Sequence, residues 1–218
     1  MKTVTQAIWR LSMIAVLLAC ITLPATADDR WYTVEVLVFA HNQDHSYGAA
    51  IRQNYTPQMT SAVHLDGTDN DRVPNVRDSW LAQGAWQTLD EESRVLRHMY
   101  SRMRGTGEYT LLFHEAWKQP INAADDMPAV RIDGLAHTGS GELAGLLTFS
   151  RSRFLHVDAR LWLTPEVRTT DDFSHDYDQD KPAPTYGRMV IEEQRRIRRD
   201  NVVYFDHPAF GMLVRITE

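Results

Sequence analysis

A histidine and an aspartate two positions apart, His156 and Asp158, form the most suggestive spacing for chemistry in this chain. They stand in a segment of alternating apolar and polar residues, and on a strand such neighbours project from the same face. The pair could contribute two ligands to a metal, or join a general base to the carboxylate that orients it. The sequence contains no His-Glu-x-x-His, Cys-x-x-Cys or Gly-x-Ser-x-Gly pattern to complete such a site. We therefore favour a hydrogen-bonded polar strand face, and we predict no metal and no other cofactor.

A second histidine, His207, stands between Asp206 and a proline that restricts the backbone before it. It could be catalytic, but the favoured interpretation is a packed histidine that orders a turn. With His156 and Asp158 it leaves one enzymatic alternative open, a hydrolase that uses these residues.

A dense run of charged residues occupies a predicted strand at residues 188–199. The face predicted to point outward carries Glu192, Gln194, Arg196 and Arg198. Glu193 and Arg195 fall among apolar neighbours on the other face, where they must pair or reach a rim, because an isolated buried charge is costly. The outward arginines could bind carboxylates with their two-pronged guanidinium groups. The alternative is a solvated strand with cross-strand ion pairs.

The elements that must position these residues follow from the apolar pattern. Strands are predicted at residues 31–40, 109–113 with a continuation towards 117, 130–135, 143–150, 154–163, 188–199 and 210–216. The first is apolar on both faces, which indicates a central strand. A helix is predicted for about residues 90–104, because apolar residues recur there at helical spacing. The pattern predicts an α+β fold, a single domain in which a mostly antiparallel sheet of five to seven strands carries one main helix on a face.

Two polar stretches interrupt these elements and are predicted to be loops, at about residues 41–79 and 165–186. The first is unusually long for a connection without structure of its own. It is a candidate binding loop.

The first 27 residues have the layout of a signal peptide with a helical apolar core. A basic start precedes about 13 apolar residues, then a proline and the small residues that end at Ala27. The apolar run is shorter than the roughly 20 residues that cross a bilayer, so we predict export and cleavage after Ala27, with no stable membrane span. Lipoprotein processing before Cys20 is the weaker alternative, since Leu18 is large and the apolar run continues past the cysteine.

Cleavage leaves a single exported domain at residues 28–218 without any cysteine, which must fold on its apolar core alone. Removing the two basic residues of the leader from the 23 of the chain leaves 21 against 29 acidic residues, a net charge of −8. Nucleic acid is therefore excluded as a partner.

Four blocks of the sequence, taken in order, resemble the CsiV family of periplasmic peptidoglycan-binding proteins of Gram-negative bacteria. They are residues 31–39, 112–120, 151–158, and 195–198 leading to 204–211. The resemblance covers nearly the whole mature chain. It implies a non-enzymatic accessory role in cell-wall biogenesis and cell shape. It also implies support for a bifunctional penicillin-binding protein together with the outer-membrane lipoprotein activator of that enzyme. No binding residues come with the resemblance.

The ligand-binding residues are therefore predicted from strand faces and from the four blocks. They are Arg151, Arg153, His156, Asp158, Arg160, Arg196, Arg198, Tyr204, Asp206 and His207. The first seven are expected on one polar surface of the sheet, where they would contact stem-peptide carboxylates and glycan hydroxyls of peptidoglycan. The non-enzymatic alternative is a protein-interaction adaptor that never contacts glycan.

Overall fold

Two β-sheets that share one apolar core make up most of the described chain. This computed structural model describes residues 29–42, 51–52, 61–135, 142–164 and 187–218. The strands are β1 Trp31–His41, β2 Ile51–Arg52, β3 Ala62–Val63, β4 Tyr109–Pro120, β5 Ala129–Leu135, β6 Glu142–Arg151, β7 Leu155–Thr164, β8 Arg188–Ile197, β9 Val202–Asp206 and β10 Phe210–Thr217. The helices are α1 Asp78–Ala82 and α2 Arg97–Thr106, and 3₁₀ turns occur at Asn70–Arg72, Glu91–Ser93 and Ala124–Asp126.

The first sheet has the order β4-β1-β10-β9 and the second the order β2-β8-β7-β6-β5-β3. Every pairing is antiparallel except that of β3 with β5. The α+β prediction, with mostly antiparallel strands and one main helix, is confirmed. The strands divide over two sheets, however, instead of forming one of five to seven strands. The short strand β9 was not predicted, although Val202–Phe205 is rich in β-branched and aromatic residues.

The predicted central position of β1 is confirmed, because β1 lies between β4 and β10 and is buried on both faces. Val34, Val36 and Val38 face the core shared with the second sheet. Leu37 and Phe39 project from the opposite face into a smaller cluster that α2 covers. This double burial explains why the strand reads as an almost continuous apolar run.

The second sheet is built on the predicted hairpin, now β6 and β7, and on β8 beside it. The apolar set of β7, from Leu155 to Leu163 at every second position, is buried in the core. Trp117 of the first sheet meets Phe149 of the second edge-to-face, with ring centroids 6.0 Å apart. Such pairs add to the stabilisation from area burial, and this one joins the inner faces of the two sheets.

The predicted helix begins later than residue 90. Glu91–Ser93 forms a 3₁₀ turn, and α2 begins only at Arg97. The three acidic residues at 90–92 therefore lie before the helix and not in its first turn. The helix ends at Thr106, two residues beyond the predicted end, where Gly107 adopts the left-handed conformation, with φ of 70°, and its N–H binds the Arg104 carbonyl.

The described part of the predicted loop at residues 41–79 contains structure, so the prediction of a long unstructured connection is wrong there. It includes β2, β3 and the beginning of α1. The buried Asn70 side chain accepts a hydrogen bond from the His64 N–H and donates one to the His64 carbonyl. Asn70 thus replaces backbone pairing that a strand would supply. Residues 43–50 and 53–60, the predicted loop at 165–186 and the predicted signal helix lie outside the described residues. No helix in the described part of the chain is long and apolar enough to cross a membrane.

A buried carboxylate determines where α2 begins. Glu35 of β1 is only 3% exposed. Its two oxygens accept hydrogen bonds from the backbone N–H groups of Leu96 and Val95, at 2.8 and 3.0 Å. The imidazole Nε2 of buried His114 on β4 lies 2.9 Å from Glu35 Oε1. One side chain therefore supplies acceptors to the two residues that immediately precede the helix, and it holds the beginning of that helix against two strands.

We expect Glu35→Gln to lower the free energy of unfolding by about 2–3 kcal/mol, because the amide nitrogen replaces an acceptor needed by a buried donor. Chemical denaturation monitored by circular dichroism measures the change. Glu108→Gln, at an exposed position, is the matched control and should stay within about 0.5 kcal/mol of wild type. Equal stability of the two variants would contradict the role given to Glu35.

Asp29 fastens the segment before β1 to the rest of the domain. Its carboxylate accepts hydrogen bonds from Trp80 Nε1 at 2.6 Å and Asn122 Nδ2 at 2.8 Å, and it pairs with Arg77 at 3.2 Å. Burial alone would raise the pKa of Asp29. The hydrogen bonds from Trp80 and Asn122 and the Arg77 charge outweigh it, and the pKa lies below its ordinary 3.8.

A carboxyl group whose pKa is lower in the folded state stabilises the fold above its unfolded pKa, and this contribution is lost as pH falls through the folded pKa. We therefore expect Asp29→Asn to melt at a lower temperature than wild type at pH 7. The difference should shrink once the pH falls below 3.8. Thermal melts over a pH series test this, with exposed Asp71→Asn as the control. A difference that stays constant down to the lowest pH would contradict it.

Candidate binding surfaces

The outer face of the second sheet, the face turned away from the core, carries a polar surface on β7 and β8. His156 lies directly opposite Arg196, and Asp158 opposite Gln194. Arg160 follows in the next row, opposite Glu192. Residues at the alternate positions of β7 are buried in the core, so the period of two along the strand separates the two faces. Four of the predicted site residues, His156, Asp158, Arg160 and Arg196, are thus brought together.

An exposed aromatic ring with two arginines stands at one end of this surface. Phe154, in the turn between β6 and β7, is 43% exposed. The Arg196 guanidinium carbon lies 4.6 Å from the centre of its ring, and that of Arg153 lies 5.3 Å from it. We call Arg153, Phe154 and Arg196 the arginine–phenylalanine cluster. Cation–π contacts of this kind hold guanidinium groups in place while leaving their N–H donors available. Phe154 was not among the predicted binding residues, although the alternation of its segment places it on the same face as His156 and Asp158.

The charges around the cluster are unevenly compensated. Arg160 lies 3.5 Å from Asp158, and Arg52 lies 2.8 Å from Glu192. Within the described residues, no carboxylate comes within ion-pair distance of Arg153 or Arg196. Two cations without a carboxylate partner, both in contact with one ring, form a site that suits an anion, and bidentate binding of a carboxylate is the strongest contact available to each of them.

Two predicted residues lie off this surface. Arg151 lies opposite Leu155, so it belongs to the inner face, and its Nε donates to the Ile121 carbonyl at 3.3 Å. The prediction that Arg151 shares a surface with the other six residues was wrong. Ser150 lies opposite His156 on the outer face, and Arg151, one residue further along the strand, points to the other face. Arg198 is exposed but lies past the end of β8, where its carbonyl accepts the Asn201 N–H. Trp162 shares the outer face but is 6% exposed, so it offers no open ring.

Glu193 and Arg195 lie on the inner face of β8, and they both pair with each other and reach the solvent, as the sequence predicted for charges in that position. They pair at 2.7 Å, and each side chain keeps about two fifths of its surface exposed. Arg195 also donates to the Tyr204 carbonyl at 2.7 Å, and its guanidinium lies 5.2 Å from the centre of the Phe205 ring. Arg195 therefore connects β8 of the second sheet to β9 of the first.

The remaining predicted residues, Tyr204, Asp206 and His207, lie on the first sheet. The Tyr204 hydroxyl donates to Asp206 Oδ1 at 2.6 Å. His207 Nδ1 accepts the Ala209 N–H at 3.1 Å, in the turn before β10, which is the structural role that the sequence favoured. Tyr204 and Asp206 pair with Leu213 and Gly211 and project on the side of the first sheet that α2 partly covers. Of the predicted residues, His156, Asp158, Arg160 and Arg196 thus lie on the outer face of the second sheet, whereas Tyr204 and Asp206 lie on the outer face of the first.

The described residues include no group of three or more His, Cys, Asp or Glu that could hold a metal ion. His156 and Asp158 do share a face, as the spacing indicated, but Asp158 directs an oxygen towards Arg160. The arrangement that the structure does present is a row of hydrogen-bonding groups with a cationic, aromatic end.

A two-sheet domain whose outer face presents such a row has the features of a protein that binds an extended polar ligand on its surface. A family model described as "Peptidoglycan-binding protein, CsiV" matches residues 11–218. The chain belongs to this family of peptidoglycan-binding proteins, and the resemblance noted in the sequence is confirmed. Membership also indicates an extracytoplasmic protein, where peptidoglycan lies. Comparisons with characterised proteins and with solved structures found no match.

Proposed function

We propose that this protein is a non-enzymatic periplasmic accessory protein that holds peptidoglycan on the outer face of its second sheet. The observation that carries the proposal is the arginine–phenylalanine cluster, in which two guanidinium groups on one exposed ring lack a carboxylate partner among the described residues. Family membership indicates that the ligand is peptidoglycan. The arginine–phenylalanine cluster indicates which groups of peptidoglycan this surface would bind, namely carboxylates.

Stem peptides carry free carboxylates, which are the groups that paired arginines bind best. Phe154 adds an apolar surface for the short aliphatic side chains of such peptides. The neighbouring His156, Asp158 and Gln194 offer hydrogen bonds to amide and hydroxyl groups. These side chains are exposed or half-buried, and each contact is individually weak. A polymer with many repeats nevertheless binds well to such a surface, because dissociation of one repeat leaves the next within reach.

The resemblance extends the proposal to partners. We infer that the protein supports a bifunctional penicillin-binding protein and acts with the outer-membrane lipoprotein activator of that enzyme. In this arrangement the second sheet would contact the wall, and other surfaces would be left for protein contacts. The competing function is an adaptor that contacts only these proteins.

Co-sedimentation with purified peptidoglycan sacculi at low salt tests wall binding. We expect mature wild-type protein to pellet with sacculi. The double variant Arg153→Gln/Arg196→Gln should bind about tenfold more weakly, because two charge-assisted hydrogen bonds are lost. The matched control, Arg72→Gln/Arg102→Gln, removes two exposed arginines elsewhere and should pellet like wild type.

Wild-type protein that stays in the supernatant would refute direct wall binding. Retention by immobilised penicillin-binding protein or its activator in that case would establish the adaptor function. Equal sedimentation of the two double variants would show that wall binding does not use the cluster.

We further propose that the leader is removed after Ala27, which would leave Asp28 as the first residue and the Asp29 contacts close behind it. The intact mass of protein purified from its native compartment should equal that of residues 28–218. A mass that includes the leader, or that fits acylated chain beginning at Cys20, would contradict this cleavage.

A further inference from the structure

We propose that Tyr204 and Asp206, on the first sheet, form a separate subsite that stacks an uncharged pyranose ring of the glycan strand. The proposal rests on the proposed function, since it assigns the saccharide part of the same polymer to a second surface. It places this contact across the molecule from the arginine–phenylalanine cluster.

The hydroxyl end of the Tyr204 ring reaches over Gly211, which lies diagonally across from it on β10 and has no side chain. A Cβ atom added at Gly211 would stand 2.7 Å from Tyr204 Cε2 and 3.0 Å from its hydroxyl. The ring is nearly parallel to that of Phe39, with an interplanar angle of 5° and centroids 6.3 Å apart. Tyr204 nevertheless keeps 39% of its surface exposed. This exposed part of the side chain is the surface that a sugar ring would cover.

The hydroxyl end of this ring is fixed by a carboxylate. Tyr204 donates to Asp206 Oδ1 at 2.6 Å, and Asp206 is exposed. Burial, followed by the hydrogen bond and the charge of Asp206, raises the pKa of Tyr204, so the hydroxyl stays protonated and keeps donating. The second carboxylate oxygen of Asp206 can accept hydrogen bonds from the hydroxyl groups of a ligand. A ring oriented before binding loses little conformational freedom when a ligand arrives.

The chemistry of this arrangement selects a neutral sugar. The axial C–H groups of a pyranose form an apolar face that packs on an aromatic ring, while its equatorial hydroxyls donate to a carboxylate at the rim. Asp206 disfavours an anionic ligand such as a free stem-peptide carboxylate. Behind Tyr204, Tyr109 meets Phe39 edge-to-face at 5.3 Å and His41 at 5.6 Å, so the platform is supported by further rings.

Titration of the mature protein with chitotetraose, a peptide-free tetramer of N-acetylglucosamine, tests the subsite. Binding followed by NMR should shift the Tyr204 ring resonances. We expect Tyr204→Ser to weaken binding about tenfold and Tyr204→Phe, which keeps the ring, to remain within about threefold of wild type. Val202→Ser is the matched control: it lies on the same face of the same strand, is also 39% exposed, and should bind like wild type.

Failure of wild-type protein to bind the tetramer at millimolar concentration would overturn the subsite. So would equal affinities for Tyr204→Ser and wild type. If Tyr204→Ser does not fold, the ring shifts in wild type and an affinity loss in Asp206→Ala decide the question instead. The arginine double variant should bind the tetramer normally. Sacculus binding that depends on the arginines, without tetramer binding, would therefore remove the subsite and leave the proposed function standing.

Discussion

The Glu35 carboxylate is the constraint on which the arrangement of the first sheet depends. It is almost fully buried and is stabilised by the donors around it, the backbone of Val95 and Leu96 and the ring of His114. Because those donors belong to the beginning of α2 and to β4, the helix has one possible place on the sheet. It covers Leu37 there and leaves the far end of the same face, with Tyr204, accessible.

The two outer faces of the molecule consequently differ in chemistry. One offers a single tyrosine platform with a carboxylate at its rim, beside a helix. The other offers rows of alternating charge that end in two arginines on a phenylalanine ring. Arg195 ties the sheets together at one side, so the two faces are held in a fixed relation. A wall-binding protein of this form would have a means of contacting peptide and glycan at different sites.

Two sequence patterns made much of the fold predictable: the alternation in β7 identifies its buried face, and the nearly continuous apolar run of β1 indicates burial on both faces. Local pattern could not reveal which distant strands pair, so Tyr204 and His207 were grouped with residues of the other sheet. It also could not reveal that the carboxylate fixing the beginning of α2 comes from Glu35, 60 residues before Val95. Arg151 was misplaced by one position, which on a strand reverses the face.

The pairing of β1 with β10 has a consequence for how the chain acquires its structure. The strand β1, near the beginning of the chain, and the strand β10, near its end, are direct neighbours, with Thr33 opposite Thr217. Contacts between such distant segments close late and slow the folding reaction. A strand with two apolar faces therefore lacks one of its two neighbours until the chain has been synthesised through β10. Apolar surface and an unpaired strand edge that stay exposed during folding favour aggregation.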